Sequence, residues 1–202
     1  MTSRLAVFAY ASLVHRGSAA LTLGREPGEL APVRLSGWRR RWSAVRDNLR
    51  SEKTFAIEPG GDLPSWALGL NLEPGPGIEA EGNPNGALVE VDETELRRLD
   101  ERELRYRRVE VTNEIEVRTG RIGHEGFDAV FAYVAKPEHF VPEPPAGAVI
   151  LAPYLRAVEA GFAALGEREP AIFQATTEAP PVDTVEATLV RGRVRPGNPR
   201  DW

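Results

Sequence analysis

The chain has 202 residues, of which 42% are hydrophobic and 27% charged, a composition typical of a folded globular protein and not of a disordered or collagen-like one. Its lack of cysteine excludes disulfide and thiolate chemistry, and its formal net charge of −5 argues against nucleic acid as a partner. The longest apolar runs are far shorter than the ~20 residues needed to cross a bilayer. The N-terminus lacks the pattern of a signal peptide, so we predict no membrane partner and a cytoplasmic location.

A chain of this length is expected to form one hydrophobic core. We predict a single domain over residues 1–179. The remaining residues, 180–202, are rich in Pro, Gly and Arg, and we predict a tail that is loosely draped over the surface or partly disordered. Nothing in the sequence specifies an oligomeric state.

The residue pattern of the first half of the chain predicts strands separated by turns. Residues 5–10 form a short apolar run that predicts a buried strand, followed by a turn at residues 11–13. Bulky and charged residues alternate over 33–45, which predicts an extended segment with a bend at Gly37. Leucines at every second position over 67–72 predict another strand.

A Gly-, Pro- and Asn-rich stretch over 74–86 predicts a surface loop before a further strand at 87–91. Asp92, with Glu95 three positions later, has the pattern of a capping box and predicts the start of a helix.

Two strands and a second helix are predicted in the second half. Alternation over residues 109–117 predicts one long half-buried strand, and residues 127–135 predict another. Apolar residues at helical spacing over 155–165 predict a late helix that stops at Gly166. These elements together indicate an α+β fold with a mostly antiparallel sheet.

The capped helix carries one carboxylate on its apolar stripe. Leu96, Leu99, Glu103 and Tyr106 follow the spacing i, i+3, i+7, i+10, which turns Glu103 inward if the helix continues that far. A carboxylate among apolar groups has a raised pKa and suits proton transfer near neutral pH. The alternative is that the helix ends near Arg102 and that Glu103 caps it or forms an ion pair. The other ionisable residues of this segment are expected to face solvent: Arg97, Arg98, Glu101, Arg102 and Arg105.

Two segments of the chain resemble the γ-glutamylcyclotransferase family. The first is Val-Phe-Ala-Tyr-Ala-Ser-Leu at residues 7–13, and the second is Leu-Asp-Glu-Arg-Glu at residues 99–103, followed by Tyr106. The resemblance extends over roughly residues 5–166. Most members of the family have glycine where this chain has Ala11, and a glycine there allows a closer approach of ligand or backbone.

The resemblance implies a γ-glutamylcyclotransferase-like fold, a small mixed, mostly antiparallel β-barrel with packed helices. The family's catalytic glutamate, the second one in Leu-Asp-x-x-Glu, maps onto Glu103 and not onto Glu101. The implied reaction cyclises a γ-glutamyl peptide, amino acid or amine to 5-oxoproline and releases the amine, with Glu103 as general acid and base. The resemblance implies no cofactor. The implied substrate contacts are Tyr10, Ala11, Ser12, Leu13 and Tyr106.

Other chemistries have weaker support in the sequence. Ser12 and His15 are a conceivable nucleophile and base, but a turn serine near a histidine is more often structural. The three histidines lack metal-binding spacing, so no metal site is predicted. The arginines at 39–41 are interpreted as a solvated face with their stems on apolar surface. A non-catalytic binding module on the same fold stays open as the alternative function, because of Ala11.

Overall fold

A computed structural model describes residues 3–76, 82–117 and 126–192, together with residue 198. Parts of the predicted 74–86 loop, of the predicted tail, and His124 lie outside these residues. The described strands are β1 Leu5–Ala9, β2 Pro32–Leu35, β3 Trp38–Asp47, β4 Lys53–Ile57, β5 Trp66–Pro74, β6 Asn85–Val91, β7 Tyr106–Glu110, β8 Ile115–Val117, β9 Ala129–Ala135, β10 Ala148–Leu151, β11 Thr184–Val185 and β12 Ala187–Gly192. The described helices are α1 Arg16–Leu23, α2 Glu93–Arg102, α3 Ala152–Leu165 and α4 Glu169–Ala175. None of these helices is long and apolar enough to cross a bilayer.

The central sheet is curled into a half-barrel. Its strand order is β7-β9-β1-β6-β2-β8, so β7 and β8 form opposite edges. Only the short 3₁₀ turn Thr112–Glu114 and Val111 separate these two strands along the chain. A flat sheet would hold its edges far apart, so the short connection requires the sheet to curl. The single strand predicted over 109–117 is therefore wrong, because the chain turns at its middle and crosses from one edge to the other.

A second sheet, in the order β11-β10-β5-β3, packs beside the first, and β4 pairs with β12 in a separate ribbon. The two larger sheets are joined where the backbone N–H of Ala135 in β9 donates to Asn71 Oδ1 in β5, at 2.8 Å. Most strand pairs are antiparallel, as the sequence predicts; the parallel ones among the described strands are β1 with β9 and β10 with β5 and β11. The fold class is α+β.

Several local predictions are confirmed at residue level. Asp92 caps α2, and the capping box with Glu95 is complete, with hydrogen bonds of 2.8 and 3.0 Å. Gly37 separates β2 from β3 with φ of 77°, a conformation that glycine adopts without strain. Gly166 ends α3.

The C-terminal segment is more ordered than predicted. Residues 184–185 pair with β10, and residues 187–192 pair with β4. The prediction of a loosely draped tail is therefore wrong for these residues, which complete two of the sheets. We propose that the domain extends beyond residue 179 to include β11 and β12.

Arg40 is buried in the core, which contradicts the interpretation of residues 39–41 as a solvated face. Its side chain is 0% exposed. The guanidinium donates to the carbonyl oxygen of Tyr10 at 3.1 Å, and to the carbonyl oxygen and Oδ1 of Asn85 at 2.7 and 2.8 Å. It also donates to the hydroxyls of Thr176 and Thr177 at 3.0 and 2.7 Å. This network joins β1, β3, β6 and the end of α4, which is why the core tolerates a buried cation.

Replacing this arginine should destabilise the fold. We expect Arg40→Met to lower the free energy of unfolding by about 2–4 kcal/mol, because two buried carbonyl groups lose a charged donor. The measurement is equilibrium denaturation in urea. Arg107→Met, the same change at an exposed position of β7, is the control and should alter stability by less than about 0.5 kcal/mol. Equal stability of the two variants would contradict the structural role of Arg40.

Close packing at Gly161 holds α3 against the segment that follows β1. A Cβ atom at this position would lie 2.7 Å from the backbone N of His15 and 2.8 Å from the carbonyl carbon of Val14. Real Cβ atoms do not approach backbone atoms so closely, so only glycine allows this helix to approach the 3₁₀ turn Ser12–Val14.

We therefore expect Gly161→Ala to lower the free energy of unfolding by about 1–3 kcal/mol through overpacking. Gly28→Ala is the matched control, since a Cβ at position 28 meets no atom within 4 Å. Gly28→Ala should leave the free energy of unfolding almost unchanged. Thermal unfolding followed by circular dichroism would compare the two variants. A Gly161→Ala variant as stable as the unaltered protein would contradict the close contact.

Candidate active site

A cavity of about 380 Å³ opens between the half-barrel, the second sheet and α3. It is lined by the end of β1, the 3₁₀ turn, the facing parts of β3, β4 and β5, the end of α2, the start of β7 and the first turn of α3. Every site residue predicted from the sequence lines it: Tyr10, Ala11, Ser12, Leu13, Glu103 and Tyr106. The fold thus brings together residues that lie about ninety positions apart in the sequence. The tasks assigned to them stay predictions.

Glu103 lies at the C-terminal cap of α2. Its backbone N–H donates to the carbonyl of Leu99 at 2.8 Å, and its own carbonyl accepts from the N–H of Tyr106 at 2.8 Å. The helix therefore ends at Arg102, and a tight turn leads into β7. The prediction that Tyr106 continues the helical stripe is wrong, and the alternative in which Glu103 caps the helix and forms an ion pair describes the geometry. The Glu103 side chain nevertheless points into the cavity and is only 17% exposed.

The Glu103 carboxylate is paired with its neighbour. Arg102 Nε donates to Glu103 Oε1 at 3.0 Å. Burial raises the pKa of Glu103 above the ordinary glutamate value, while the positive charges of Arg102 and then Arg105 pull it back down. The direction that prevails is upward, because desolvation penalises the carboxylate more than the arginines favour it. Glu103 is thus a carboxylate whose proton affinity is increased by its surroundings.

Arg102 is buried, although the sequence predicts that it faces solvent. Besides Glu103 it binds Ser12 Oγ at 3.1 Å, Ser18 Oγ at 2.8 Å, the Ser18 carbonyl at 2.8 Å and Thr22 Oγ1 at 2.5 Å. This guanidinium therefore joins α2, α1 and the 3₁₀ turn. The signal for its burial was present in the sequence, because Arg102 follows Leu99 by three positions and lies on the same side of α2.

Three of the four tyrosines that line the cavity bind neutral backbone groups through their hydroxyls. The Tyr106 hydroxyl donates to the carbonyl of Leu70 at 3.0 Å, and the Tyr154 hydroxyl accepts from the N–H of Leu70 at 3.1 Å. Tyr10 donates to the carbonyl of Tyr133 at 2.6 Å. Burial raises the pKa of Tyr10, Tyr106 and Tyr154, so all three stay protonated phenols.

A shift in strand register makes Leu70 available to these tyrosines. In the pairing of β3 with β5, Arg41 lies opposite Asn71 and Ala44 opposite Gly69, so Leu70 has no regular partner across the pair. A bulge of this kind leaves backbone groups outside the ladder. Tyr154 lines the cavity, and its hydroxyl accepts from the N–H of Leu70. The sequence motifs did not assign this role to Tyr154.

The turn after β1 presents both side-chain and backbone groups. Ser12 and Leu13 begin the 3₁₀ turn, whose first N–H groups have no acceptor inside the turn. Ala11 has φ of −137°, outside the left-handed region that favours glycine. The φ of Ala11 therefore does not by itself require glycine.

Ser12 and His15 are not paired with each other. Ser12 Oγ is bound by Arg102, and His15 Nδ1 accepts from the N–H of Ser18 at 3.2 Å, which caps α1. The geometry therefore favours structural tasks for both over a nucleophile and base. Within the described parts of the chain, no three His, Asp or Glu side chains come together as a potential metal site.

The ion pair makes a prediction about the proton affinity of Glu103. Replacing Arg102 by glutamine should raise the pKa of Glu103 further, because a positive charge that favours the carboxylate is removed. Carboxyl ¹³C NMR titration of the labelled protein would measure this shift, with the signal assigned from a Glu103→Gln spectrum. Arg97→Gln, an exposed arginine on the same helix, should leave the pKa of Glu103 unaltered. A lower or unchanged value in the Arg102 variant would contradict the electrostatic coupling.

Comparison with known proteins gives structural matches alone. No protein-family model and no curated protein sequence matches the chain. A solved structure described as a gamma-glutamyl cyclotransferase superposes with a TM-score of 0.56 at 13% identity, covering 85% of this chain and 86% of that one. A yeast gamma-glutamyl cyclotransferase described as specific to glutathione gives a TM-score of 0.53 at 15% identity, covering 87% of this chain and 96% of that one. The half-barrel with its four described helices is therefore the gamma-glutamyl cyclotransferase fold.

Proposed function

We propose that this protein is a γ-glutamylcyclotransferase-type enzyme that cyclises a γ-glutamyl compound to 5-oxoproline and releases an amine. The observation that carries the proposal is the Glu103 carboxyl group, largely shielded from solvent at the wall of a cavity of about 380 Å³. The similar fold of solved gamma-glutamyl cyclotransferases supports it. We also propose a cytoplasmic location, since a chain without cysteine suits a reducing compartment.

The chemistry requires one group that takes and returns protons. The Glu103 carboxylate accepts a proton from the substrate's α-ammonium group, which frees the nitrogen lone pair. The α-nitrogen then attacks the γ-carbonyl carbon, forming the new C–N bond of the five-membered ring. Protonated Glu103 delivers its proton to the leaving nitrogen.

A second proton moves by the same path from the ring nitrogen to the leaving nitrogen. The old C–N bond breaks, the carbonyl reforms, and the products are 5-oxoproline and a protonated amine. Water, metal and redox cofactor do not enter the balance. A raised pKa of Glu103 suits this cycle, because the same group must be both an adequate base and an adequate acid.

The remaining contacts position the substrate. The amides of Ser12 and Leu13 suit the substrate's α-carboxylate, since the first N–H groups of a helical turn bind anions. Tyr10, Ala11 and Tyr106 form the wall beside the reacting atoms. Holding both reacting groups of one molecule in a ring-closing geometry supplies much of the rate enhancement.

A binding module without turnover is the second candidate. The specific observation in its favour is the Arg102–Glu103 ion pair, because a carboxylate already bound by a guanidinium is a weaker base than a free one. The raised pKa of Glu103 favours the enzyme, since burial outweighs the ion pair. Release of 5-oxoproline from γ-glutamyl compounds separates the two candidates.

The test compares two glutamates that are two residues apart. Glu103→Gln should lower kcat for 5-oxoproline release by about 10²–10⁴-fold, because the amide has nearly the same shape and cannot accept a proton. Glu101→Gln is the matched control: Glu101 is exposed on α2, and its variant should keep its activity. Full turnover by the Glu103 variant, or loss of turnover in the Glu101 variant alone, would refute the assignment. Ligand binding without turnover by the unaltered protein would select the binding module.

A further inference from the structure

The cavity wall also carries charged side chains that the reaction does not use. Arg46 on β3 lines the cavity, and so do Glu52, Lys53 and Arg105. Successive residues of a strand alternate between its two faces, so Arg46 shares a face with Ala44, which also lines the cavity. None of these four charged residues was identified as part of a site from the sequence.

Arg46 is bound by neutral groups. Its guanidinium donates to the carbonyl of Lys53 at 3.3 Å and to Asn48 Oδ1 at 3.0 Å, and its central carbon lies 4.9 Å from the centre of the Phe55 ring. In the described ranges of the chain, no carboxylate lies within ion-pair distance of it. These contacts fix the guanidinium in place at the cavity wall without neutralising its charge.

The nearby carboxylates are bound to other groups. Both oxygens of Glu52 accept from Arg105, at 3.1 and 2.6 Å. Asp47 Oδ1 accepts from the backbone N–H groups of Leu49 and Arg50, both at 2.9 Å. The Glu52–Arg105 pair carries no net charge, so it does not neutralise Arg46.

A partly desolvated guanidinium in this setting favours an anionic ligand. Burial lowers the pKa of Arg46 to about 10, which reflects the cost of desolvating its charge. A carboxylate placed against it would recover that cost through charge-assisted hydrogen bonds. The planar guanidinium has donors suited to the two oxygens of a carboxylate.

The register of the strands shows where such a carboxylate would lie in the substrate. Ala44 lies opposite Gly69, and a Cβ at Gly69 would be 3.3 Å from the Tyr106 hydroxyl, so this level of the sheet lies beside the reacting end. Arg46 lies opposite Ala67, two residues further along, which is a distance of about 7 Å. A γ-glutamyl group at Glu103 whose leaving portion runs along β3 and β5 would bring that portion beside Arg46.

We propose that Arg46 binds a carboxylate on the leaving portion of the substrate, so that the protein selects γ-glutamyl amino acids or peptides over γ-glutamyl amines; this rests on the proposed function. Arg46 is then a specificity-determining residue. The proposed reaction itself does not require it, since neither proton transfer nor ring closure involves the leaving group's carboxylate.

The test uses two substrates that differ only in this carboxylate, γ-glutamylalanine and γ-glutamylethylamine. The unaltered protein should show a higher kcat/KM for γ-glutamylalanine, and Arg46→Gln should reduce the ratio of the two kcat/KM values by roughly 10- to 100-fold. Arg46→Lys keeps the charge and loses the two-pronged geometry, so its ratio of kcat/KM values should lie between those of the unaltered protein and Arg46→Gln. Arg39→Gln removes the same charge from β3 outside the cavity and should leave the ratio unchanged.

A general loss of structure would lower both kcat/KM values together and leave their ratio intact, which would overturn the proposal. A preference of the unaltered protein for the amine would overturn it as well. If the unaltered protein turns over neither compound, the proposed function fails. The affinities of the two compounds for Glu103→Gln and for the Glu103→Gln, Arg46→Gln double variant, measured by calorimetry, then show whether Arg46 binds the carboxylate. Stronger binding of γ-glutamylalanine that is lost with Arg46 supports the carboxylate site, while equal or absent binding of both compounds rejects it.

Discussion

The burial of the Arg102 guanidinium is the constraint on which the geometry of the candidate site depends. Removing an arginine from water costs several kcal/mol unless its donors are satisfied. Arg102 meets this condition with one carboxylate, three hydroxyls and one backbone carbonyl, contributed by α2, α1 and the turn after β1. Each of these segments must keep its position for the donors to stay satisfied. The Glu103 carboxylate is oriented as part of that arrangement.

A second buried arginine fixes the same turn from the opposite side. Arg40 holds the carbonyl of Tyr10, and Arg102 holds the hydroxyl of Ser12, so the turn between them is bound at both ends. Gly161 adds a third restraint by letting α3 pack directly on the backbone of this turn. A rigid turn suits the proposed reaction, which aligns two groups of one substrate, because a displacement of about 1 Å costs much of the rate.

The cavity wall has two chemically different parts. Phenol hydroxyls bound to the backbone N–H and carbonyl of Leu70 form a neutral part, and burial in this cavity raises the pKa of Glu103 by excluding water. Charged groups around Arg46 form the other part. The first part suits the proposed proton transfer by a poorly solvated carboxyl group, and the second suits the proposed anion. The small residues Ala44 and Gly69 leave the space between them open.

The sequence by itself determined the local elements: the strand before Tyr10, the capping box at Asp92, the bend at Gly37 and the late helix ending at Gly166. Each depends on neighbouring residues only, through alternation, capping or backbone freedom. The sequence motifs also selected six of the residues that line the cavity. The tertiary structure decided what no local pattern encodes. It placed Arg40 inside and satisfied the donors of Arg102, because the partners of both lie on segments distant in sequence. It divided residues 109–117 between two sheet edges, because the sheet must curl. It also placed Arg46 at the cavity wall, since the register between β3 and β5 is set by a bulge and by long-range packing.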